Sequence, residues 1–292
     1  MNPFGTEGKW YKGNLHTHTT NSDGDLSPEE TANWYKKRGY DFLAITDHWK
    51  ISQTEESSSK FLFIKGVELD LKEAKLNQTY HLVCLNISDL SGLEKEVTVQ
   101  EAIDIVKRKG GDVILGHPYW SFLTINDLIL LKGILGMEVF NSCCDLGIGK
   151  GLSSVHWDDI LIRGKRPLGF AADDAHHFTA EPFDAGKGWI MVKVESLNKE
   201  NILQAIREGN FYSSCGPVIK DISLEENKIN VSSSSVKRIN FVCNGSKGKV
   251  FRAEEGKFLN EAEFSFQNGV DYIRVECIDE KGKVAWSNPY FL

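Results

Sequence analysis

The stretch GNLHTHTTNSDGDLSPEETANWYKKRGYDFLAITDH, residues 13–48, decides the reading of the fold. GNLHTH (13–18) and DFLAITDH (41–48) are apolar runs of strand length, and each ends in imidazole-bearing residues. Between them, Ser27-Pro28-Glu29-Glu30 carries the cap, the proline at the first helical position and the reciprocal glutamate of a capping box. Strand, helix, strand in that order is the unit of a parallel βα architecture.

The alternation continues downstream. Further strand candidates are FLFIKGVELDL (61–71), YHLVCLNI (80–87), DVILGHP (112–118), GMEVFN (136–141) and PLGFAADDAH (167–176). A second capping box, Thr98 with Glu101, opens a helix whose Val99, Ala102, Ile103 and Val106 share one face, and Gly110-Gly111 ends it. Ile202, Leu203 and Ile206 mark another helix near 199–208. Seven strands, several of them separated by helices, predict an α/β fold over residues 10–217, an irregular relative of the eight-stranded barrel. Residues 218–292 read differently. Short alternating runs are broken by Glu226-Asn227, Asn244-Gly245 and Lys281-Gly282, which predicts a small antiparallel all-β module. The serine run 232–235 reads as a loop within it. The module's apolar residues predict that it packs on the barrel rather than hanging from a linker.

Composition bounds the function. The chain has 292 residues, enough for one large domain and a small one, and 34 Lys+Arg against 41 Asp+Glu give a net charge of −7. That balance argues against a nucleic-acid partner or an anionic membrane surface. No apolar run approaches the ~18 residues of a membrane span, and the N-terminus lacks the apolar core of a secretion signal, so a cytoplasmic location without membrane contact is expected. Six cysteines without a CxxC pair read as reduced thiols, with Cys143-Cys144 kept open because it follows a polar cluster.

The eight histidines all lie between 16 and 177. Ligand-type residues recur at strand ends: His16 and His18, Asp47-His48, Glu68, His117, Glu138 and Asn141, then Asp173-Asp174 and His176. The ends of parallel barrel strands converge on one mouth. His81 begins its strand and so sits at the wrong end unless that strand runs differently. His with Asp and Glu suits Zn, Mn or Fe, and there are more donors than one ion needs, which predicts two or three divalent ions. Clustered ions of this kind serve hydrolysis, by making hydroxide at neutral pH and clamping the oxygens of a displacement.

These motifs, in order from NLHTH and ITDH through GVEL, YHLVCLNI, ILGHP, MEVFN and ADDAH, resemble those of the PHP (polymerase and histidinol phosphatase) superfamily of metallohydrolases. FYSSCGP (211–217), followed by a β module ending in AWSNPYFL, looks closest to its carbaryl-hydrolase-like branch. The resemblance implies a distorted (β/α)7 TIM-like barrel. It also implies a first ion on His16, His18, Glu68 and Asp174; a second on Glu68, His81 and His117; and a third on Asp23, His48 and His176. It further implies a phosphoesterase acting on a small phosphorylated metabolite or nucleotide, through a bi- or trinuclear centre and a metal-bridging hydroxide. A carbamate or carboxyl ester hydrolase and an inactive binding module are the other readings. Glu68 and His176 are expected to act in catalysis, with Asp173 or His177 as proton donor. Asp47, Glu138 and Asn141 are expected to support ligands or meet substrate, Glu138 and Asn141 together only if their strand bends. Tyr119 and Trp120 are expected to wall the pocket.

Overall fold

A computed structural model describes residues 2–53, 57–72, 79–181 and 183–292. Its contacts divide the chain into two compact units. One holds Lys12–Trp189 and Leu197–Lys199; the other holds the chain through Tyr11, Ile190–Ser196 and Glu200–Leu292.

The first unit carries β1 (Lys9–Asn14, of which residues 12–14 belong here), α1 (Pro28–Lys36), β2 (Phe42–Ile45), β3 (Leu62–Lys72) and β4 (Thr79–Leu85). It continues with α2 (Val99–Arg108), β5 (Asp112–Leu115), α3 (Ile125–Leu128), β6 (Gly136–Asn141), α4 (Ser142–Ile148), α5 (Ser154–Leu161) and β7 (Leu168–Ala172). The strands lie in sequence order from β1 to β7. Both capping boxes form, and the α2 stripe is buried as its spacing predicts. β2 and β5 are buried along their whole length, as expected for strands covered on both faces.

Two features depart from the expected barrel. β4 is antiparallel to both β3 and β5, whereas β1–β2, β2–β3, β5–β6 and β6–β7 are parallel. Its reversal puts His81 opposite Asp70 of β3, at the same rim as Glu68, and so resolves the misplaced histidine. The first strand also ends at Asn14, before the two histidines. Thr17 instead makes a lone parallel bridge to Ala175, and His18 N–H donates to the Ala175 carbonyl at 2.9 Å. The segments that follow β1 and β7 therefore meet through a few backbone hydrogen bonds rather than a full strand pair. The arrangement is a mixed α/β sheet rich in parallel strands.

The second unit adds β8 (Trp189–Val194), α6 (Lys199–Arg207), β9 (Phe211–Ser214), β10 (Ile219–Glu225), β11 (Lys228–Val236), β12 (Arg238–Cys243) and β13 (Lys249–Arg252). It ends with β14 (Leu259–Ser265), β15 (Tyr272–Ile278), β16 (Val284–Ser287) and β17 (Tyr290–Phe291). β10, β11 and β14 form one antiparallel sheet; β13, β12, β15, β16, β9 and β8 follow one another in the other. The three expected hairpin turns are present. Ser232–Ser235 is strand, not loop: it lies within β11, where the register shifts between Ser232 and Val236. The contact boundary also differs from a division into 10–217 and 218–292. β9 pairs with β16, with Ser213 opposite Trp286, so FYSSCGP is built into the second unit. Tyr212 joins the same apolar core as Ile239, Phe241 and Val275.

Candidate metal centre

Nε2 of His16 and Nε2 of His18 stand 3.2 Å apart. Each is 3.1 Å from Glu68 Oε2 and 3.1 Å from Asp174 Oδ1. All four residues are buried. Edges of this length belong to a tetrahedron whose centre lies about 1.9 Å from each corner, close to the ~2.0–2.2 Å of a zinc bond to nitrogen or oxygen. Two ring nitrogens and two carboxylate oxygens thus converge on one point, which suits a divalent cation.

Glu68 faces two ways. Its other oxygen, Oε1, lies 2.7 Å from His81 Nδ1 and 3.5 Å from His117 Nε2, which makes a second cluster. A third joins Asp23, His48 and His176 with the far side of His18. Asp23 Oδ2 is 3.5 Å from His176 Nε2 and 3.7 Å from His48 Nε2, and Asp23 Oδ1 is 3.3 Å from His18 Nδ1. His48 Nδ1 is buried without a hydrogen-bond partner. All nine residues of the expected ligand set therefore come together.

The surrounding shell explains the orientations. Glu138 Oε1 accepts from His16 Nδ1 at 2.7 Å, and its Oε2 accepts from His117 N–H at 2.8 Å and Asn141 Nδ2 at 2.7 Å. Asn141 also donates to Asp174 Oδ2 at 3.2 Å. Glu138 and Asn141 are three positions apart, and they face one place because the β6–β7 register shifts between Glu138 and Phe140. Asp47 accepts from Thr19 N–H and Oγ1 and from the Ser22 and Ser52 hydroxyls, which fixes the loop behind His18. His117 and Asp174 take left-handed backbone conformations, with φ of 24° and 54°. Such backbone is costly for residues other than glycine and concentrates at functional sites.

Charge in the cluster is mutual. Burial alone would neutralise the His16 ring, but Asp174, Glu68 and Glu138 outweigh it and raise its pKa well above the usual value. Burial likewise opposes ionisation of Glu68, yet His16 and His81 hold it well below the usual carboxylate range. Hydrogen bonds from His176 and His18 keep Asp23 low as well. Ionised carboxylates balanced by protonated imidazoles are what a bound cation would replace, with release of those protons.

The clusters floor a cavity of about 330 Å³, also lined by Trp120, Cys143, Cys144, Gly147 and His177. Trp120 sets its ring edge-on to His117, with centroids 5.1 Å apart. Two expected residues lie elsewhere. Tyr119 is exposed, near His156 and Lys150, and is not among the described lining residues. Asp173 is fully buried and does not line the cavity; its oxygens accept from Tyr35 OH and from the Gly186, Lys187 and Gly188 N–H groups. It braces the 186–188 turn, so of the two expected proton donors it is His177 that lies at the cavity. His177 is exposed at the cavity, and Asp184 holds its Nδ1 at 3.0 Å. The sequence reading missed two groups. Asp70, two residues past Glu68 on β3, lies 3.9 Å from His48 Nδ1, and period-two spacing could have flagged it. Asp184 carries no motif; it binds the His176 and His177 N–H groups across a turn.

Residues 14–103 match the family model of the PHP domain. This PHP match carries His16, His18, Asp23, His48, Glu68 and His81; folding adds His117, Asp174 and His176 from beyond it. Over 146 residues, 45% of this chain and 82% of the relative, the chain is 27% identical to an uncharacterized protein of Methanocaldococcus jannaschii. Over 79 residues, 20% of this chain, it is 34% identical to the DNA polymerase/3′-5′ exonuclease PolX of Bacillus subtilis, spanning 14% of that protein. Among solved structures it resembles a two-domain protein from Bacteroides vulgatus described as containing a predicted PHP-like metal-dependent phosphoesterase. The identity there is 14%, the TM-score 0.53, and the match covers 98% of this chain and 95% of the other. At that identity the likeness is one of fold.

Proposed function

We propose that this chain is a metal-dependent hydrolase of the PHP superfamily, with a distorted (β/α)7 barrel, that cleaves the phosphoester of a small phosphorylated metabolite or nucleotide. One observation carries the reading: nine His, Asp and Glu side chains form three overlapping clusters, joined through Glu68 and His18, and seven of the nine line one cavity.

His16, His18, Glu68 and Asp174 would hold one ion, Glu68, His81 and His117 a second, and Asp23, His48 and His176 a third. Zinc, manganese or iron there would supply a hydroxide nucleophile at neutral pH and neutralise charge on substrate oxygens. Glu68 sets the spacing of the first two positions because its two oxygens face different clusters. His176 points Nε2 inward because its Nδ1 donates to the Asp174 carbonyl at 2.8 Å. His177, with Nδ1 held by Asp184, keeps Nε2 free to protonate a departing alkoxide.

A second reading, hydrolysis of a carbamate or carboxyl ester at the same centre, draws on the cavity wall. No Lys or Arg is among its described lining residues, so a phosphate would depend on the ions and His177 for its countercharge. The relationship to the carbaryl-hydrolase-like branch rests on the FYSSCGP motif and the β module that follows it. The test is metal analysis of the purified protein, joined to a screen of phosphomonoesters, nucleotides, carboxyl esters and aryl carbamates with and without chelator. Chelator-sensitive release of phosphate is expected. Turnover of carbonyl esters alone would favour the second reading, and a metal-loaded protein inert to every class would overturn both.

A further inference from the structure

We propose that a second cavity, at the opposite end of β6 and β7 from the metal centre, binds a small organic phosphate. The cavity holds about 270 Å³, close to the ~300 Å³ lower end of small-molecule sites. Lys132, Lys165 and Arg166 line it, and no carboxylate is among its described lining residues. The metal-centre cavity is the reverse, with carboxylates and no Lys or Arg among its described lining residues. In a chain of net charge −7, three cations gathered without an acid make a local field that favours an anion. Leu131, Ile160 and Pro167, all buried, supply apolar surface beside them, which suits a phosphate carried on an organic body.

The two loops that bring the cations are fixed by the protein itself. Lys132 N–H donates to Gln100 Oε1 at 2.9 Å and its carbonyl accepts from Gln100 Nε2 at 3.0 Å, which pins the loop before β6 to α2. Trp157 Nε1 donates to the Pro167 carbonyl at 2.9 Å, and Lys165 N–H to the Ile160 carbonyl at 3.3 Å, which holds the loop before β7 against α5. Leu168 N–H donates to the Leu135 carbonyl at 3.1 Å and ties the two loops together. Among the described residues neither Lys132 nor Lys165 has an ion-pair partner, so neither has an internal countercharge to give up. A guanidinium matches phosphate oxygens bidentately, and the two ammonium groups add point charges. From Gly136 to Asn141 β6 rises roughly 16 Å at ~3.3 Å per residue, so a ligand here leaves the metal-centre cavity open.

The test is calorimetric titration of the full-length protein with phenylphosphonate, which carries the dianion and an apolar ring and has no ester bond to hydrolyse. Inorganic phosphate is titrated in parallel, each before and after removal of metal by chelator. One equivalent of phenylphosphonate should bind with or without metal, more tightly than phosphate, and should weaken as salt is added. Lys132→Ala/Lys165→Ala should lower the affinity of that equivalent at least tenfold, with metal content, hydrolysis and circular dichroism unchanged. Absence of a metal-independent equivalent, or one that survives in the double variant, overturns the site. Phosphate bound as tightly as phenylphosphonate overturns the organic body. Neither result bears on the metal centre, which is read from metal content and metal-dependent turnover.

Discussion

His16 Nδ1 donates to Glu138 Oε1 at 2.7 Å, and this contact turns the opposite nitrogen, Nε2, toward Glu68 and Asp174. Outer partners of this kind fix the tautomer of a ligating histidine and raise its basicity, and their loss costs ~10–100-fold in metal affinity. Glu138→Gln should weaken metal binding by about that factor, because the amide has one acceptor oxygen for three donors. A chelator-competition titration reads this directly; unchanged affinity would show that His16 is held by other means.

Glu68→Gln should do more. Removing the charge from a carboxylate that faces two cation positions leaves both under-neutralised. The expected result is loss of more than one metal equivalent and near-complete loss of hydrolysis. Full metal content with full rate would dissolve the bridging role.

His177→Gln tests the proton donor. Metal content should not change, since the ring meets Asp184 and lies in none of the described ligand clusters. The turnover rate should fall by ~10²-fold or more for esters with poor leaving groups and little for good ones, because only the former need protonation. An equal fall for both would mean that His177 positions substrate instead.

Asp173 links stability to pH. Burial pushes its carboxyl up to about 6, against hydrogen bonds that favour the ionised form. Its folded pKa therefore lies above the unfolded value, so its contribution is complete below about pH 4 and is lost as pH rises through about 6, a swing of about 3 kcal/mol. Asp173→Asn does not titrate and leaves buried donors short of an acceptor, at a cost of about 1–3 kcal/mol. Denaturant midpoints should show a gap between wild type and variant that narrows from about pH 4.5 to about pH 7. A gap that widens over that range would reverse the assignment.

Truncation after Gly216 should leave an unstable product. It strips β16 from β9 and removes most of the core around Tyr212, while β8, α6 and β9 of the same unit remain. A truncated chain with the wild-type melting temperature and metal content would show that these strands find adequate cover elsewhere.

Seven of the nine converging residues were legible because each sits at or near the end of an apolar run, and the rim of such a sheet gathers what its strands deliver there; His81 begins its run, and Asp23 was reached only through the family resemblance. What the sequence hid was direction and register. Nothing local to YHLVCLNI states that β4 runs backward, since reversal depends on its pairing with β3 and β5. The bend that unites Glu138 with Asn141 is a mismatch between two strands, invisible in either alone. The first strand was placed too late because Lys9 and Lys12 interrupt KWYKGN; Lys9 is exposed, while half-buried Lys12 lies over the Tyr40 and Trp189 rings. Asp173 was misread because its neighbours are ligands, and proximity in sequence said nothing about which way its carboxylate turns.

The left-handed backbone at His117 and Asp174 sets durability against chemistry at the same two peptides. Glycine would sit in either conformation without the strain of a side chain, which is about 1–3 kcal/mol per residue. Selection for a hardier fold alone would therefore drift toward glycine at both positions and erase the centre. Lineages that no longer need the reaction would be expected to record that drift first, before any change in the surrounding strands.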